Sequence, residues 1–208
     1  MSVTLQVMTS FIALADYRRR VHEMYASVRN SQDPAGARDE WVAARAALFR
    51  DHSQTPLDPA ESFTGLNYAP YDPSWRFVVP VRTAPALDLL IPHSASGQTR
   101  FRRIGNVVLP VVSRPTLDVF WLDAYGGGIF IPFRDATNGI DTYGGGRYLL
   151  DSVKGADLGS NDDGLVLDFN FAYHPSCTYS PRWSCPLAPQ GNVLALPVPA
   201  GEQLPWRR

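Results

Sequence analysis

Lysine is almost missing from this 208-residue chain. Lys154 is the only one, and arginine supplies the rest of 19 basic residues. Against 20 acidic residues the formal net charge is −1, which gives no electrostatic pull toward nucleic acid or anionic lipid. The arginine bias carries no functional reading by itself. No apolar run reaches the roughly 20 residues of a membrane-spanning helix. Residues 3 to 15 are mildly apolar, and Ala13-Leu14-Ala15 bears a faint likeness to a signal-cleavage site. A basic leader is missing, however, Gln6, Thr9 and Ser10 interrupt the run, and helical periodicity continues past Ala15. The expectation is a cytoplasmic protein, without nucleic-acid or membrane partners. There are two cysteines, Cys177 and Cys185. In that compartment they read as thiols, ligands or a redox pair rather than an obligatory staple.

What is present is an ordinary globular composition, 45% hydrophobic and 19% charged. A chain of this length buries about 70% of its unfolded surface, so a core needs neither disulfide nor metal. Leu5, Met8, Ile12, Tyr17, Val21, Met24, Tyr25 and Val28 recur at three and four residues and mark one face of a helix. Asp33-Pro34 is a cap and first-turn proline for a second helix, whose buried stripe is Trp41, Ala44, Leu48 and Phe49. Two prolines between His52 and Pro59 end it. Residues 1–58 therefore read as a helical hairpin and 59–208 as a β domain carrying the site, both parts of one folding unit.

Beyond Glu61 the grammar changes to short β-branched and aromatic runs punctuated by glycine and proline. Strands are expected at 76–82, 100–104, 107–112, 116–124, 129–132, 165–173 and 193–198. Gly105-Asn106 and Gly126-Gly127-Gly128 are the hairpin turns. No strand–helix–strand alternation appears, so the class is mainly β with an α appendage. The expected architecture is an antiparallel β-barrel or barrel-like sandwich packed by the N-terminal hairpin. In strand 165–173, Leu165, Leu167, Phe169, Phe171 and Tyr173 share one face, and Asp168 and Asn170 lie on the other. Those two polar groups either face solvent or line a polar lumen, with the aromatics packed outward against the helices.

Site-building residues crowd into two stretches, Pro132 to Tyr148 and Asp168 to Pro186. Together with Leu66-Asn-Tyr-Ala-Pro-Tyr-Asp-Pro, they supply Pro132-Phe-Arg-Asp-Ala-Thr, Thr142-Tyr-Gly-Gly-Gly-Arg-Tyr-Leu, Asp168-Phe-Asn and Cys185-Pro-Leu-Ala-Pro. This combination resembles a family of bacterial and archaeal proteins, domain of unknown function 1684. The resemblance runs from about residue 17 to 202. It implies the boundaries and the site's location and leaves the chemistry to the residues. Where this chain has His174, the resembling pattern carries asparagine, so a mechanism requiring His174 does not follow from the resemblance.

Arg134 and Arg147 flank Asp135 and Asp141. One guanidinium could grip a ligand carboxylate or phosphate bidentately; the alternative is an internal Arg–Asp pair that pins the loop. Gly144-Gly145-Gly146 lacks the lysine and flanking elements of a phosphate loop, and a turn with positive φ is the simpler reading. His174, Cys177 and Cys185, with Asp168 as a fourth ligand, form a zinc-type donor set, though at an unfamiliar spacing. Cys177, His174 and Asp168 could also act as nucleophile, base and orienting carboxylate.

The leading expectation is a protein that binds a small polar or anionic metabolite in a barrel pocket and, if it is an enzyme, uses Asp/Arg/Tyr acid–base chemistry. Arg134, Asp135, Tyr143, Arg147, Asn170 and Tyr173 would bind substrate, and Asp168, His174 and Cys177 would be catalytic. No cofactor is legible. The rival classes are an interaction protein whose polar cluster is structural, and a metalloenzyme using His174, Cys177 and Cys185.

Overall fold

The computed structural model describes residues 3–58, 63–123 and 125–205. Helix α1 spans Val3–Asn30 and α2 spans Pro34–Asp51. Asp33 caps α2 as expected: its carboxylate accepts the Ala35 and Gly36 N–H groups at 3.2 and 3.1 Å, with Pro34 in the first turn. Trp41, Leu48 and Phe49 are buried along its stripe, and so are Arg38 and Arg45. On α1, Tyr25 is buried but Ile12 is 68% exposed. The side chains of Leu5 and Met8, together with Pro59, Glu61 and Ala124, lie outside the described residues.

Among the described residues the β portion contains three antiparallel sheets. The largest is a meander of β3 (Leu87–Pro92), β4 (Gln98–Val108), β5 (Thr116–Leu122), β6 (Gly128–Phe133) and β7 (Arg147–Asp151), paired in chain order. A second sheet sets β2 (Arg76–Val79) and β8 (Ser160–Asn161) on either side of β9 (Gly164–Asp168), and a third pairs β1 (Asn67–Tyr68) with β10 (Glu202–Gln203). None closes into a barrel. The sheets stack in a sandwich-like arrangement, with the hairpin α1–α2 against them.

Adjacent residues on a strand point to opposite faces. Val119 thus enters the main core with Leu117, Ile131, Phe133, Leu149, Leu167 and Phe169, while Phe120 joins a second cluster with Ile91, Phe101, Phe130 and Tyr148. The space expected to be a polar lumen is filled with these apolar side chains. The interior of the sandwich is therefore mainly apolar core.

Three expected elements differ. Residues 100–112 are not two strands around a Gly105-Asn106 turn. Residues 100–108 belong to the single strand β4, with a register shift between Arg103 and Gly105, and 109–112 lie beyond its end. A Cβ on Gly105 would come within 2.5 Å of the Arg82 carbonyl, so this glycine admits a neighbouring backbone. Strand 165–173 stops at Asp168, and the chain turns through a 3-10 helix at Phe169–Phe171 that buries Phe169, Asn170 and Phe171 together. Residues 193–198 form only an isolated bridge at Val193, since Pro197 and Pro199 lack the N–H groups a ladder needs.

Candidate functional site

Of the two arginines singled out from the sequence, Arg147 is tied to the framework by its guanidinium and Arg134 by its backbone, with the buried Arg134 Nε unpartnered among the described residues. Arg147 has no exposed surface. Its Nη2 donates to Asp135 Oδ2 at 2.8 Å and to the Val198 carbonyl at 2.9 Å, and its Nη1 donates to the Ala200 and Glu202 carbonyls. Asp135 in turn accepts the Thr137 N–H and hydroxyl at 2.8 and 2.6 Å. Burial pulls the Arg147 pKa below its ordinary value, and the Asp135 carboxylate opposes that. The internal pair, not the ligand clamp, is what these contacts make. Arg134 is half-buried with its backbone bridged to Asn192 and Leu194. Gly146, at φ +100°, completes a turn on the Tyr143 carbonyl, as the turn reading of the glycine run requires.

Asp168 and Asn170 are buried for a related reason. Asp168 Oδ1 accepts the Asn170 N–H and side-chain amide at 3.0 and 2.8 Å, and Oδ2 meets the Tyr71 hydroxyl at 3.3 Å and Arg76 Nε at 3.7 Å. Burial raises its pKa, against the hydrogen bonds from Asn170. It borders a small recess of about 190 Å³ beside Arg76 and Ser160. Asn170 grips the Asp72 N–H and carbonyl, each at 2.8 Å, standing in for a strand neighbour.

The expected Asp168–His174–Cys177 relay is not assembled, because each member has other partners. His174 Nε2 accepts the Tyr143 N–H at 3.2 Å. Burial pushes its pKa down to about 4, so the ring is neutral at physiological pH. Cys177 Sγ lies 3.7 Å from the Tyr143 hydroxyl. Nor do His174, Cys177 and Cys185 converge as ligands: among the described residues no three His, Cys, Asp or Glu side chains could hold a metal ion. The cysteines are free thiols, Cys177 half-buried and Cys185 buried.

A different hollow is present. Between the helical hairpin and the sheets lies a cavity of about 270 Å³. Val21, Met24, Leu48, Phe49 and Ala156 supply apolar wall, and Tyr173 and His174 line its floor side. Of the sequence-predicted site residues, these two and Cys185 line it. The cavity also holds three cations, Arg18, Arg45 and Lys154, and none of its described lining residues is a carboxylate. Two of its buried lining groups, the Tyr25 hydroxyl and Trp41 Nε1, have no hydrogen-bond partner among the described residues. Burial holds the Tyr25 pKa far above its ordinary value, so that hydroxyl remains a donor.

Arg45 is the centre of this region. Its guanidinium carbon sits 4.6 Å from the Phe49 ring centroid, 5.3 Å from Tyr173 and 5.8 Å from Trp41. Its Nη1 donates to Glu202 Oε2 at 3.0 Å and to the Tyr68 hydroxyl at 3.1 Å. Glu202 also takes the His174 N–H at 2.7 Å and the Tyr179 hydroxyl. Burial works against both charges. The Arg45 guanidinium nevertheless pulls the Glu202 carboxyl below its ordinary pKa, and Glu202 holds Arg45 well above its own. The sequence carried a signal for Arg45 that the stripe reading passed over: Arg38 and Arg45 share the helical phase of Trp41 and Leu48, so two charges sit on a buried face. Glu202, in a two-residue strand near the end, offered no such pattern.

Chain and site together define a class: a sandwich-like antiparallel β protein whose helical hairpin roofs an aromatic, cation-bearing cavity. The sequence pattern of the family described as "Protein of unknown function (DUF1684)" matches residues 61–203, and the chain belongs to that family. Among solved structures it is similar to an uncharacterised protein of Haloarcula marismortui determined in solution by NMR. The two are 32% identical, with a TM-score of 0.57, over 81% of this chain and 91% of the other. No curated protein matches.

Proposed function

We propose that the protein binds a small amphiphilic anion, a compact apolar body ending in a carboxylate, in the cavity beneath the hairpin. One observation carries this reading: Tyr25 Oη and Trp41 Nε1 line the cavity, buried and without partners. An unpaired buried donor costs about 1–3 kcal/mol, and a ligand acceptor between them would recover it. The charge pattern supports the sign. Among the described residues no carboxylate lines the cavity, and the exposed Arg18 on its wall has no ion-pair partner. The volume supports the size, since about 270 Å³ lies at the lower end of ligand pockets. A cytoplasmic location belongs to the same reading and draws on the free thiols.

The test is calorimetric titration of octanoate and its neutral analogue octanol into wild type and Tyr25→Phe. Wild type binds octanoate, octanol binds more weakly, and Tyr25→Phe loses roughly 5- to 30-fold in octanoate affinity, the equivalent of about 1–2 kcal/mol. The unliganded variant melts at the same or a higher temperature, because it no longer buries an unpaired hydroxyl. Absence of binding by wild type, or equal affinity of the two proteins, overturns the proposal. A second reading, a non-catalytic interaction protein, rests on the Arg147–Asp135 and Asn170–Asp72 networks being internal. It predicts no octanoate heat at all.

A further inference from the structure

Apart from the hairpin cavity, the protein has a smaller hollow whose wall carries charges of both signs. It is the recess of about 190 Å³ beside Asp168, where the end of α1 meets the sheet of β2, β9 and β8. Strand register places its parts on one face. Arg76 of β2 stands opposite Asp168 of β9, and Val166, two residues before Asp168, points the same way. The Gly159 carbonyl accepts the Val166 N–H at 3.0 Å, and a Cβ on Gly159 would stand 3.1 Å from Arg29 Cδ. Gly159, at φ +85°, thus gives the Arg29 stem room to lie against the sheet. Arg29 and Arg76 both line the recess as exposed side chains, while the Asp168 that they share it with is buried. Val28, Leu158, Val166 and Phe171 supply the apolar wall.

Neither sign of charge is fully matched from within. Arg29 donates through Nη1 to the Asp157 carbonyl and has no carboxylate partner among the described residues. Arg76 approaches Asp168 through Nε, which leaves both its Nη groups without a partner among the described residues. Asp168 Oδ1 is held by Asn170, but Oδ2 has only the long contacts to the Tyr71 hydroxyl at 3.3 Å and Arg76 Nε at 3.7 Å. A buried carboxylate without a close cation is costly. Asp168 is also the one carboxylate on this wall among the described residues. The Asp157 carboxylate accepts the Gly159 N–H at 2.9 Å, and that of Asp33 caps α2.

We propose that the recess binds a small aliphatic α-amino acid as its zwitterion. The ammonium donates to Asp168 Oδ2, and the carboxylate takes the unpaired guanidinium N–H groups of Arg76 and Arg29. The side chain rests on Val28, Leu158 and Phe171. A ligand with one charge answers half of this wall: an anion leaves Asp168 uncompensated, and an amine leaves the guanidiniums unused. The volume, below the roughly 300 Å³ at which pockets for larger ligands begin, fits so compact a molecule.

This inference is independent of the hairpin cavity, and its test involves no octanoate. L-valine, isobutylamine and isovalerate are titrated calorimetrically into the full-length protein at neutral pH. Valine binds, and each single-charge analogue binds about 10-fold more weakly or worse, because one set of charge-assisted hydrogen bonds is lost. Arg76→Met, a change at an exposed side chain, weakens valine by about 10-fold or more. In Asp168→Asn the preference reverses, and isovalerate binds at least as tightly as valine. Should that variant not fold, wild type with the three ligands and Arg76→Met still decide the matter. Absence of valine binding, equal affinity for valine and either analogue in wild type, or valine affinity unchanged in Arg76→Met overturns the proposal.

Discussion

The buried charges of this protein sort by what surrounds them rather than by how suggestive they look in sequence. Arg147 and Arg45 are both inside, but Arg147 spends its Nη donors on Asp135 and three carbonyls, while Arg45 lies among aromatic rings on a cavity wall. His174 illustrates the cost of such placement. Its pKa falls from about 6.5 to about 4, mainly through burial. Between those values the unfolded chain binds a proton that the folded chain refuses, so stability rises with pH across that window. Acidification from pH 6.5 to 4 therefore removes about 3 kcal/mol through this one ring. In His174→Asn, whose side-chain oxygen can still accept the Tyr143 N–H, the slope of stability against pH over that window should flatten, as followed by urea unfolding. A slope unchanged from wild type would show that His174 is not the group responsible.

At the scale of elements, side-chain amides do work usually done by strands. Asn170 clamps Asp72, and Asn192 does the same at the end of β5: its oxygen accepts the Asp118 N–H at 2.8 Å, and its nitrogen donates to the Asp118 and Pro132 carbonyls at 3.0 and 2.8 Å. Asn192→Ala leaves three backbone groups to find other partners, a loss of about 3 kcal/mol at roughly 1 kcal/mol each. The urea midpoint should fall with the m-value unchanged; a loss under about 0.5 kcal/mol would mean water replaces the clamp. These clamps also explain what sequence reading could reach. The Asp33-Pro34 cap, both helices and the β5–β6 hairpin rest on local grammar and were legible. The turn at Asp168 was not, because alternation in 165–171 is intact and only the grip of Asn170 on a segment 98 residues away breaks the strand. Gly105 likewise looks like a turn until Arg82 is seen against it.

For the whole molecule, the residues marked from sequence as a site divide into two sets. Asp135, Arg147, Asp168 and Asn170 hold loops to the sandwich through their side chains, and Arg134 through its backbone. Tyr173, His174 and Cys185 line the hairpin cavity, with Tyr143 against His174 and Cys177 against Tyr143. A mixed pattern of arginine, aspartate and tyrosine looks alike in both settings, and only the third dimension separates them. The hairpin was legible as two helices with apolar faces needing cover; that the cover would be incomplete was not, since a cavity arises from side chains contributed by both ends of the chain. The central claim, that a ligand's acceptor completes the unpaired donors there, has a direct reporter in the Trp41 indole. In a ¹H–¹⁵N spectrum, titration with octanoate should move the Trp41 Nε1–H resonance downfield and saturably, while the indole of Trp121, partly exposed on the meander, stays in place. A Trp41 resonance unmoved at saturating octanoate, or one that moves together with Trp121, would contradict the account.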